Sequence, residues 1–183
     1  MAVLHRFDFP PPARYRPRMD SLHAPWRIQY ILGPKQTDAD GRSLFAAICQ
    51  SSEDEAHHVI CRVKTAYAVL NTYPYNAGHT LICPYRQVAD LPELTDEETM
   101  EMQVLLRRVQ VAMRKVMRPD GFNIGLNLGK IAGAGIVEHL HWHIVPRWTG
   151  DTNFMPVTGS TAVLPEALDE TAAKLRAALA ETH

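Results

Sequence analysis

The sequence predicts an α+β domain in which one long helix packs against an antiparallel β-sheet. Five short runs have the apolar or alternating composition of β-strands, and a long run with helical periodicity lies between the third and the fourth. A second amphipathic run stands near the C-terminus. The 183 residues suffice for one domain with a substantial core, and we find no internal repeat in the sequence.

The N-terminal part of the chain contains little core material. Residues 1–20 include three consecutive prolines and four arginines, a composition that favours an extended, flexible arm. We therefore expect one ordered domain over residues 21–183, ending in a helical tail. Within this domain, the alanine and leucine content of residues 43–49 predicts a short helix.

Three strands are predicted before the long helix and two after it. Residues 58–63, 66–71 and 79–84 are rich in apolar, β-branched and aromatic side chains, as strands usually are. The Pro, Asn and Gly residues at positions 73–78 predict a turn between the second and third strands. The fourth and fifth strands are expected at residues 121–128 and 138–145.

The long helix has a start signal and a stop signal. Thr95-Asp96-Glu97-Glu98 matches a capping box, with acidic side chains at the positive end of the helix dipole. Apolar residues then recur at spacings of three and four as far as residue 118, where Pro119 and Gly121 end the pattern. A shorter amphipathic pattern predicts the C-terminal helix over residues 165–180.

The most informative stretch is Glu138-His139-Leu140-His141-Trp142-His143-Ile144-Val145-Pro146-Arg147. Polar and apolar residues alternate in it, so a strand would place His139, His141 and His143 on one face. Pro146 lacks a backbone donor, and we expect the strand to end near it. A cluster of imidazoles can ligate a metal ion, or it can supply a nucleophile and a general acid or base.

A glycine-rich connection precedes the histidines, at residues 121–138. Glycines let backbone amides approach a ligand closely. Their spacing here fits neither the phosphate loop of NTPases nor a dinucleotide-binding fingerprint. Two interpretations remain, an anion cradle beside a histidine nucleophile and an ordinary hairpin loop.

Composition narrows the class of protein. A net charge of −1 gives no reason to expect a nucleic-acid or membrane partner. The three cysteines are an odd number without CxxC spacing, so we expect them to be reduced and mostly buried. The sequence has no apolar run of membrane-spanning length and no signal-peptide centre near Met1, which predicts a cytoplasmic protein.

These motifs resemble those of the histidine triad (HIT) superfamily of nucleotide hydrolases and transferases. His139-x-His141-x-His143 followed by two apolar residues matches the superfamily signature, and residues 71–84 are similar to its upstream strand, turn and strand. Residues 22–31 and 121–154 resemble the branch of diadenosine tetraphosphate phosphorylases and fragile-histidine-triad hydrolases. The resemblance covers about residues 22–155.

The resemblance implies a histidine triad fold, a homodimer and an activity. Dinucleoside polyphosphates such as diadenosine tetraphosphate would be cleaved through a covalent nucleotidyl-histidine, by hydrolysis or phosphorolysis, giving AMP, ADP or ATP. His141 would be the nucleophile, with His139 orienting it and His143 contacting phosphate near the leaving group. His79 matches a fourth histidine behind the triad, although it can also be read as a satisfied core histidine.

The same resemblance implies a set of substrate contacts. Asn71 would bind ribose, and Asn127 would contact phosphate or the leaving group. Backbone donors are expected from the glycine-rich loop, and apolar walls for adenine from the sheet and the segment before it. The loop residues are Gly133, Gly135, Ile136 and Val137, and the apolar wall residues are Leu81, Leu70 and Ile31.

The sequence departs from the family in two places. Many members hold a structural zinc with a CxxC motif and a downstream His, but Ser43, Ala46 and Gln87 stand at those positions. We therefore expect no zinc and no required cofactor, although Mg²⁺ can accompany the polyphosphate. Gly135 stands where the hydrolases of the branch have Gln, which leaves water and phosphate both open as the second acceptor.

Three other functions compete with this interpretation. A phosphoramidase of the same superfamily would use the same histidines, although the C-terminal tail favours the dinucleotide branch. A His₃ metalloenzyme would hold about one catalytic metal ion per chain. A nucleotide sensor would bind without turnover, but a binder has no use for a nucleophilic imidazole at the phosphorus.

Overall fold

The computed structural model describes residues 41–151 and 166–181. The predicted arm at residues 1–20, the segment at 22–31 and the predicted helix start at Pro165 lie outside the described residues. The described helices are α1 (Leu44–Gln50), α2 (Asp96–Met117) and α3 (Leu168–Ala180), with a 3₁₀ turn at Leu91–Glu93. The described strands are β1 (Val59–Arg62), β2 (Ala66–Leu70), β3 (Thr80–Pro84), β4 (Gly121–Leu126) and β5 (Trp142–Arg147).

The five strands form one sheet in the order β1-β2-β3-β5-β4, with antiparallel neighbours throughout. The predicted α+β fold is therefore confirmed, with its five-stranded antiparallel sheet, long helix and C-terminal helix. β5 lies between β3 and β4, so the last predicted strand is an internal one. This position brings the histidines of the 139–143 segment beside the turn before β3.

Helix α2 begins and ends where the sequence predicts. The Thr95 side chain accepts the Glu98 N–H and the Glu98 side chain accepts the Thr95 N–H, which completes the capping box. At the C-terminal end, Arg118 adopts a left-handed conformation with φ 49°, and Pro119 follows. The apolar side of α2, including Met102, packs against the sheet and α3.

The sheet is covered on both faces. Along β2, Ala66, Ala68 and Leu70 face the core beneath α2 and α3, whereas Tyr67 and Val69 face the core beneath α1. All five β2 residues are buried, which explains why this strand shows no polar alternation. The α1 face of the sheet is the one that carries the histidine site described below.

Strand β5 differs from the prediction at both ends. It was expected at residues 138–145 but spans Trp142–Arg147, because β3 and β4 pair with it only from Trp142 onward. Before that point the chain bonds to a loop instead, and the Leu140 N–H donates to the Val88 carbonyl at 2.7 Å. Beyond Ile144 only β4 pairs with β5, and Pro146 lies opposite Phe122 there. The strand therefore continues through the proline.

Other boundaries shift by one to three residues. β4 ends at Leu126 rather than residue 128, and α3 begins at Leu168 after Ala167, whose side chain provides no capping hydrogen bond.

Cys83 is buried, Cys49 and Cys61 are half-buried, and all three are free thiols as predicted. Burial raises the pKa of the Cys83 thiol. Among residues 41–151 and 166–181, no helix combines the length and apolarity that crossing a membrane requires.

Candidate active site

A cavity of about 260 Å³ opens on the α1 face of the sheet. Seven residues predicted for the site line it: Asn71, Leu81, Gly133, Gly135, Ile136, His141 and His143. Leu70, expected as a wall, also lines it. Asn127 and Val137 are not among its lining residues, and the contacts expected from them stay predictions.

His141 is 7% exposed and lies at the cavity with its tautomer fixed. Its Nδ1 is 2.8 Å from the backbone carbonyl oxygen of His139, which can only accept. The proton of the neutral ring is therefore on Nδ1, and Nε2 is the unprotonated nitrogen. Burial lowers the pKa of His141, while the bond to the carbonyl acts in the opposite direction. A neutral ring with this tautomer has the lone pair that a nucleophilic imidazole needs on Nε2.

His139 lies behind His141 and is completely buried. Its Nε2 is 2.9 Å from the Pro84 carbonyl oxygen, and its Nδ1 is 2.7 Å from the Ser43 hydroxyl. The carbonyl is an obligatory acceptor, so the proton of His139 is on Nε2. Burial lowers the pKa of His139, which favours the neutral ring.

His79 and His143 form a second fixed pair. The Tyr75 backbone N–H donates to His79 Nδ1 at 3.0 Å, and the Asn71 amide nitrogen is 3.3 Å from the same atom. The neutral His79 ring therefore carries its proton on Nε2, which lies 2.9 Å from His143 Nδ1. His143 accepts at Nδ1, so its own proton is on Nε2. This nitrogen is buried in the structure and is a hydrogen-bond donor in that tautomer.

Two aromatic residues missed by the sequence analysis support these imidazoles. Phe45 packs against His141 and His139, with ring centroids 4.9 and 5.6 Å away. Tyr75 stacks on His79 at 4.8 Å. Tyr75 lies in the recognised turn just before the Gly78-His79 pair, a position from which a role could have been suspected. No comparable indication exists in the sequence for Phe45, because this residue is far from the histidines in the sequence and only folding brings the rings together.

Gly78 sets the turn from which His79 projects. Its φ is +73°, a left-handed conformation that side chains rarely adopt. A Cβ at this position would lie 2.7 Å from Met117 Sδ and 3.3 Å from Pro146 Cγ. Only glycine meets both conditions, which explains the Gly before His79.

The glycine-rich loop folds back on itself. The Gly133 N–H donates to the Lys130 carbonyl at 3.1 Å, and the Ala134 N–H to the Gly129 carbonyl at 3.3 Å. The Gly133 amide is therefore used within the loop, contrary to the expectation that it supplies a donor to the ligand. Gly135 and Ile136 do line the cavity, so the loop forms one wall of it.

The family model of the HIT domain matches residues 52–150. This chain belongs to the HIT family. The match includes all four histidines of the site and every described strand. In this HIT protein, the fourth histidine is therefore a hydrogen-bond partner of the triad as well as a buried residue.

Relatives of this HIT protein include named enzymes. A Mycobacterium tuberculosis protein called AP-4-A phosphorylase is 42% identical over 161 residues, which cover 85% of this chain and 82% of the relative. The asymmetrical bis(5'-nucleosyl)-tetraphosphatase of Schizosaccharomyces pombe is 38% identical over 93 residues, covering 51% of this chain and 50% of the relative. A crystal structure of a Zn-bound histidine triad family protein from Mycobacterium smegmatis is 31% identical, with a TM-score of 0.60, and covers 75% of this chain and 93% of its own.

The side chains at the three positions where the family resemblance would place zinc ligands do not fit that metal. Ser43 offers a neutral hydroxyl that is engaged with His139, and Ala46 has no donor atom. Gln87 uses its amide oxygen to accept the Ser43 N–H at 2.8 Å. Zinc sites in proteins use thiolate, imidazole and carboxylate ligands. That the protein carries no zinc remains a prediction, supported by this donor set.

The triad itself is not arranged around a metal ion. His139 uses both ring nitrogens in hydrogen bonds, and His141 directs Nδ1 at a carbonyl. Within the described ranges, no three His, Cys, Asp or Glu side chains converge as a ligand set. This geometry argues against the His₃ metalloenzyme.

Proposed function

We propose that this HIT enzyme cleaves dinucleoside polyphosphates of the diadenosine tetraphosphate type with His141 as the nucleophile. The hydrogen bond from His141 Nδ1 to the His139 carbonyl carries the proposal. It holds the ring in the one tautomer whose Nε2 can attack, at the edge of a cavity that has apolar and polar walls. The names of the M. tuberculosis and S. pombe relatives support this substrate class.

The reaction proceeds in two transfers. His141 Nε2 attacks the α-phosphorus in line, forming a P–N bond while the bond to the departing polyphosphate oxygen breaks. The Nε2–H of His143 donates to the phosphate oxygens that gain charge. A second acceptor then attacks the nucleotidyl-histidine, and the P–N bond breaks. Both His141 and His143 are restored to their starting tautomers.

Nucleoside binding uses the apolar part of the cavity. Leu81 and Ile136 belong to the core cluster beneath α1 and also face the cavity, so they suit the faces of an adenine ring. The Asn71 side-chain oxygen accepts the Tyr73 N–H at 2.9 Å and has a second lone pair for a ribose hydroxyl. No Lys, Arg, Asp or Glu lines this cavity in the described part of the chain. Mg²⁺ carried by the polyphosphate would supply the countercharge, with no resident cofactor.

Phosphate is the second acceptor in this proposal. The phosphorylase from M. tuberculosis matches across most of both chains, whereas the tetraphosphatase from S. pombe matches across half of each. A phosphate held beside a nucleotidyl-histidine outcompetes water through its effective concentration. The products from diadenosine tetraphosphate are then ADP and ATP.

The proposal includes a homodimer in the cytoplasm. The exposed side of α2, opposite its buried side, carries the apolar residues Met100, Val104 and Val111. β4 is an edge strand of the sheet with an exposed Ile124. A second copy packed on these surfaces would cover both the apolar stripe and the open edge. Cross-linking or sedimentation of the full chain tests this part.

Product analysis tests the reaction. The purified full-length protein is incubated with diadenosine tetraphosphate in phosphate-free buffer and at millimolar phosphate, and the nucleotides are separated by anion-exchange chromatography. We expect ADP and ATP in equal amounts, formed only when phosphate is present. ATP and AMP at equal rates in both buffers would make the enzyme a hydrolase. No cleavage in either buffer would refute the proposed function.

A further inference from the structure

Ser43 joins helix α1 to the triad. It is fully buried at the N-cap of α1, where its hydroxyl oxygen accepts the Ala46 N–H at 3.1 Å. The same hydroxyl is 2.7 Å from His139 Nδ1. A short helix of the α1 face is thus bonded directly to the residue that holds the nucleophile.

The donor and the acceptor can be assigned in each hydrogen bond that links Ala46, Ser43, His139 and Pro84. His139 Nε2 must donate to the Pro84 carbonyl, so His139 Nδ1 must accept. The Ser43 O–H therefore donates to His139, while its oxygen accepts from the Ala46 N–H, which can only donate. Replacing the hydroxyl by an acceptor would require a second proton on a completely buried ring, which is costly.

Gln87 completes the connection from the other side. Its side-chain oxygen accepts the Ser43 N–H at 2.8 Å, and its nitrogen donates to the Gly41 carbonyl at 3.3 Å. The neighbouring Val88 carbonyl accepts the Leu140 N–H. The loop after β3 therefore holds both the start of α1 and the backbone next to His139.

We propose that the Ser43–Gln87 pair takes the place of a structural metal and positions the nucleophile through His139, an inference that rests on the proposed function. Ser43 and Gln87 are positioning residues, since the hydrogen bonds described for them go to His139, to each other and to the chain at the start of α1, and neither is among the residues lining the cavity. Ser43 fixes the ring of His139 at Nδ1, Gln87 holds Ser43, and the Pro84 carbonyl fixes the ring at Nε2. The carbonyl of the same residue then holds His141 Nδ1 in place.

Helix α1 transmits the same restraint to the cavity wall. Phe45 lies two residues after Ser43 and packs on both His139 and His141. Arg62 fixes the other end of α1 by donating to the carbonyls of Ile48, Cys49 and Ser51 at 3.0–3.1 Å. A helix of seven residues is therefore held at both ends by side-chain hydrogen bonds.

The test separates the hydroxyl from its capping role. Glycine is nearly as good an N-cap as serine, so Ser43→Gly keeps α1 and removes the bond to His139. Ser43→Thr keeps the hydroxyl. Ser51→Ala, at the C-terminal end of α1, removes a hydroxyl whose one hydrogen bond within the described residues is accepted from the Glu53 N–H, and it is the matched control.

We expect kcat to fall by about 10–100-fold in Ser43→Gly, as for other residues that orient a reacting group, while KM changes by less than about threefold. Ser43→Thr should recover most of the loss, and Ser51→Ala should match wild type. Nitrogen NMR of histidine-labelled protein should show the His139 Nδ1 resonance moving in Ser43→Gly alone. Wild-type kcat in Ser43→Gly with an unmoved resonance would overturn the inference.

A second variant covers the case in which Ser43→Gly does not fold. Gln87 is exposed, so Gln87→Met removes the other half of the pair at a tolerant position. We expect a severalfold loss of kcat, and an unchanged kcat would overturn the inference. The NMR measurement needs no substrate. If wild type cleaves no dinucleotide, the function fails, but the resonance still decides whether Ser43 holds His139.

Discussion

His79 decides which nitrogen of His143 carries the proton, through a contact of 2.9 Å between His79 Nε2 and His143 Nδ1. The Tyr75 backbone N–H in turn fixes His79, since it can only donate. The Tyr75 N–H therefore determines the tautomer of neutral His79 directly and that of neutral His143 through His79. Without His79, the proton of His143 could occupy either nitrogen.

The first prediction concerns this pair. His79→Phe keeps a ring in the buried site and removes the donor, so we expect kcat to fall by about 10–100-fold. His79→Gln, whose amide can donate to His143, should recover part of the loss. The rate of nucleotidyl transfer to His141 in a single turnover measures this. A Phe variant with the wild-type rate would show that the His143 tautomer does not need His79.

The second prediction concerns His141 itself. His141→Asn removes Nε2 and should lower turnover by about 10³-fold or more, because the covalent intermediate of the proposed reaction forms on that atom. Folding, followed by circular dichroism, and binding of AMP should persist. Trapping with radiolabelled substrate should label wild type and leave the variant unlabelled. Substantial residual turnover would exclude a covalent role for His141.

The third prediction concerns pH. Burial lowers the pKa values of both His141 and His139 below the ordinary value of 6.5. A lowered pKa keeps the attacking neutral ring populated at lower pH. The single-turnover rate should therefore hold from neutral pH down to about 6.5 and decline only below it. A midpoint above 6.5 would mean that the imidazolium is stabilised in the site, contrary to this structure.

The fourth prediction concerns zinc, and it uses a variant that introduces metal-binding side chains at positions 43, 46 and 87. Ser43→Cys, Ala46→Cys and Gln87→His together would add two thiolates and an imidazole near His139, which are the ligand types of structural zinc sites. We expect elemental analysis to find about one zinc per chain in the triple variant and none in wild type. Adding His139→Asn to the triple variant should weaken binding. Stoichiometric zinc in wild type would contradict the prediction that this chain needs none.

The fifth prediction concerns acid stability. Hydrogen bonds from Arg86, at 2.7 and 2.8 Å, hold the pKa of Glu98 at about 2. The unfolded-chain value is about 4.3, so this stabilisation is complete above that pH and disappears as pH falls towards 2. Half of the Arg86 side chain is exposed, and solvent screening therefore weakens the pair. We expect Glu98→Gln to lower the free energy of unfolding by on the order of 1–2 kcal/mol at neutral pH.

Urea unfolding at neutral and acid pH measures this contribution to the free energy of unfolding. The free energies of unfolding of wild type and Glu98→Gln should become more similar as pH falls through 4 towards 2, the range set by the folded and unfolded pKa values. Glu97→Gln is the matched control, because Glu97 pairs with Lys64 in solvent. Equal differences at both pH values would show that Glu98 contributes through packing alone.

Patterns within one segment were enough to predict most of the fold. The capping box at Thr95 and the helical spacing after it located α2 to within a residue at each end. The alternation around His141 identified the functional segment correctly. The same alternation placed the start of β5 four residues too early, because His139 and Leu140 bond to the loop of Pro84 and Val88 rather than to a strand.

Features that depend on distant contacts could not be predicted. The sequence analysis named Ser43 and Gln87 as positions that lack zinc ligands, but the 2.7 Å contact between Ser43 and His139 joins residues far apart in the chain. Phe45 was part of a predicted helix with no sign of which face meets the histidines. Gly133 is a local exception: its N–H was expected to serve the ligand but donates to the Lys130 carbonyl three residues earlier, a turn that the glycine spacing did not reveal.

The partners that orient the four imidazoles have one further property in common. The partners described above are the Pro84 and His139 carbonyls, the Tyr75 N–H, the Ser43 hydroxyl, the Asn71 amide and another imidazole. None of these partners bears a net charge. Dissolved salt screens Coulomb attraction but leaves buried dipolar hydrogen bonds nearly unaffected. The alignment of the nucleophile should therefore be the same in dilute buffer and in concentrated salt, and ionic strength should act on this enzyme through the encounter with its polyanionic substrate.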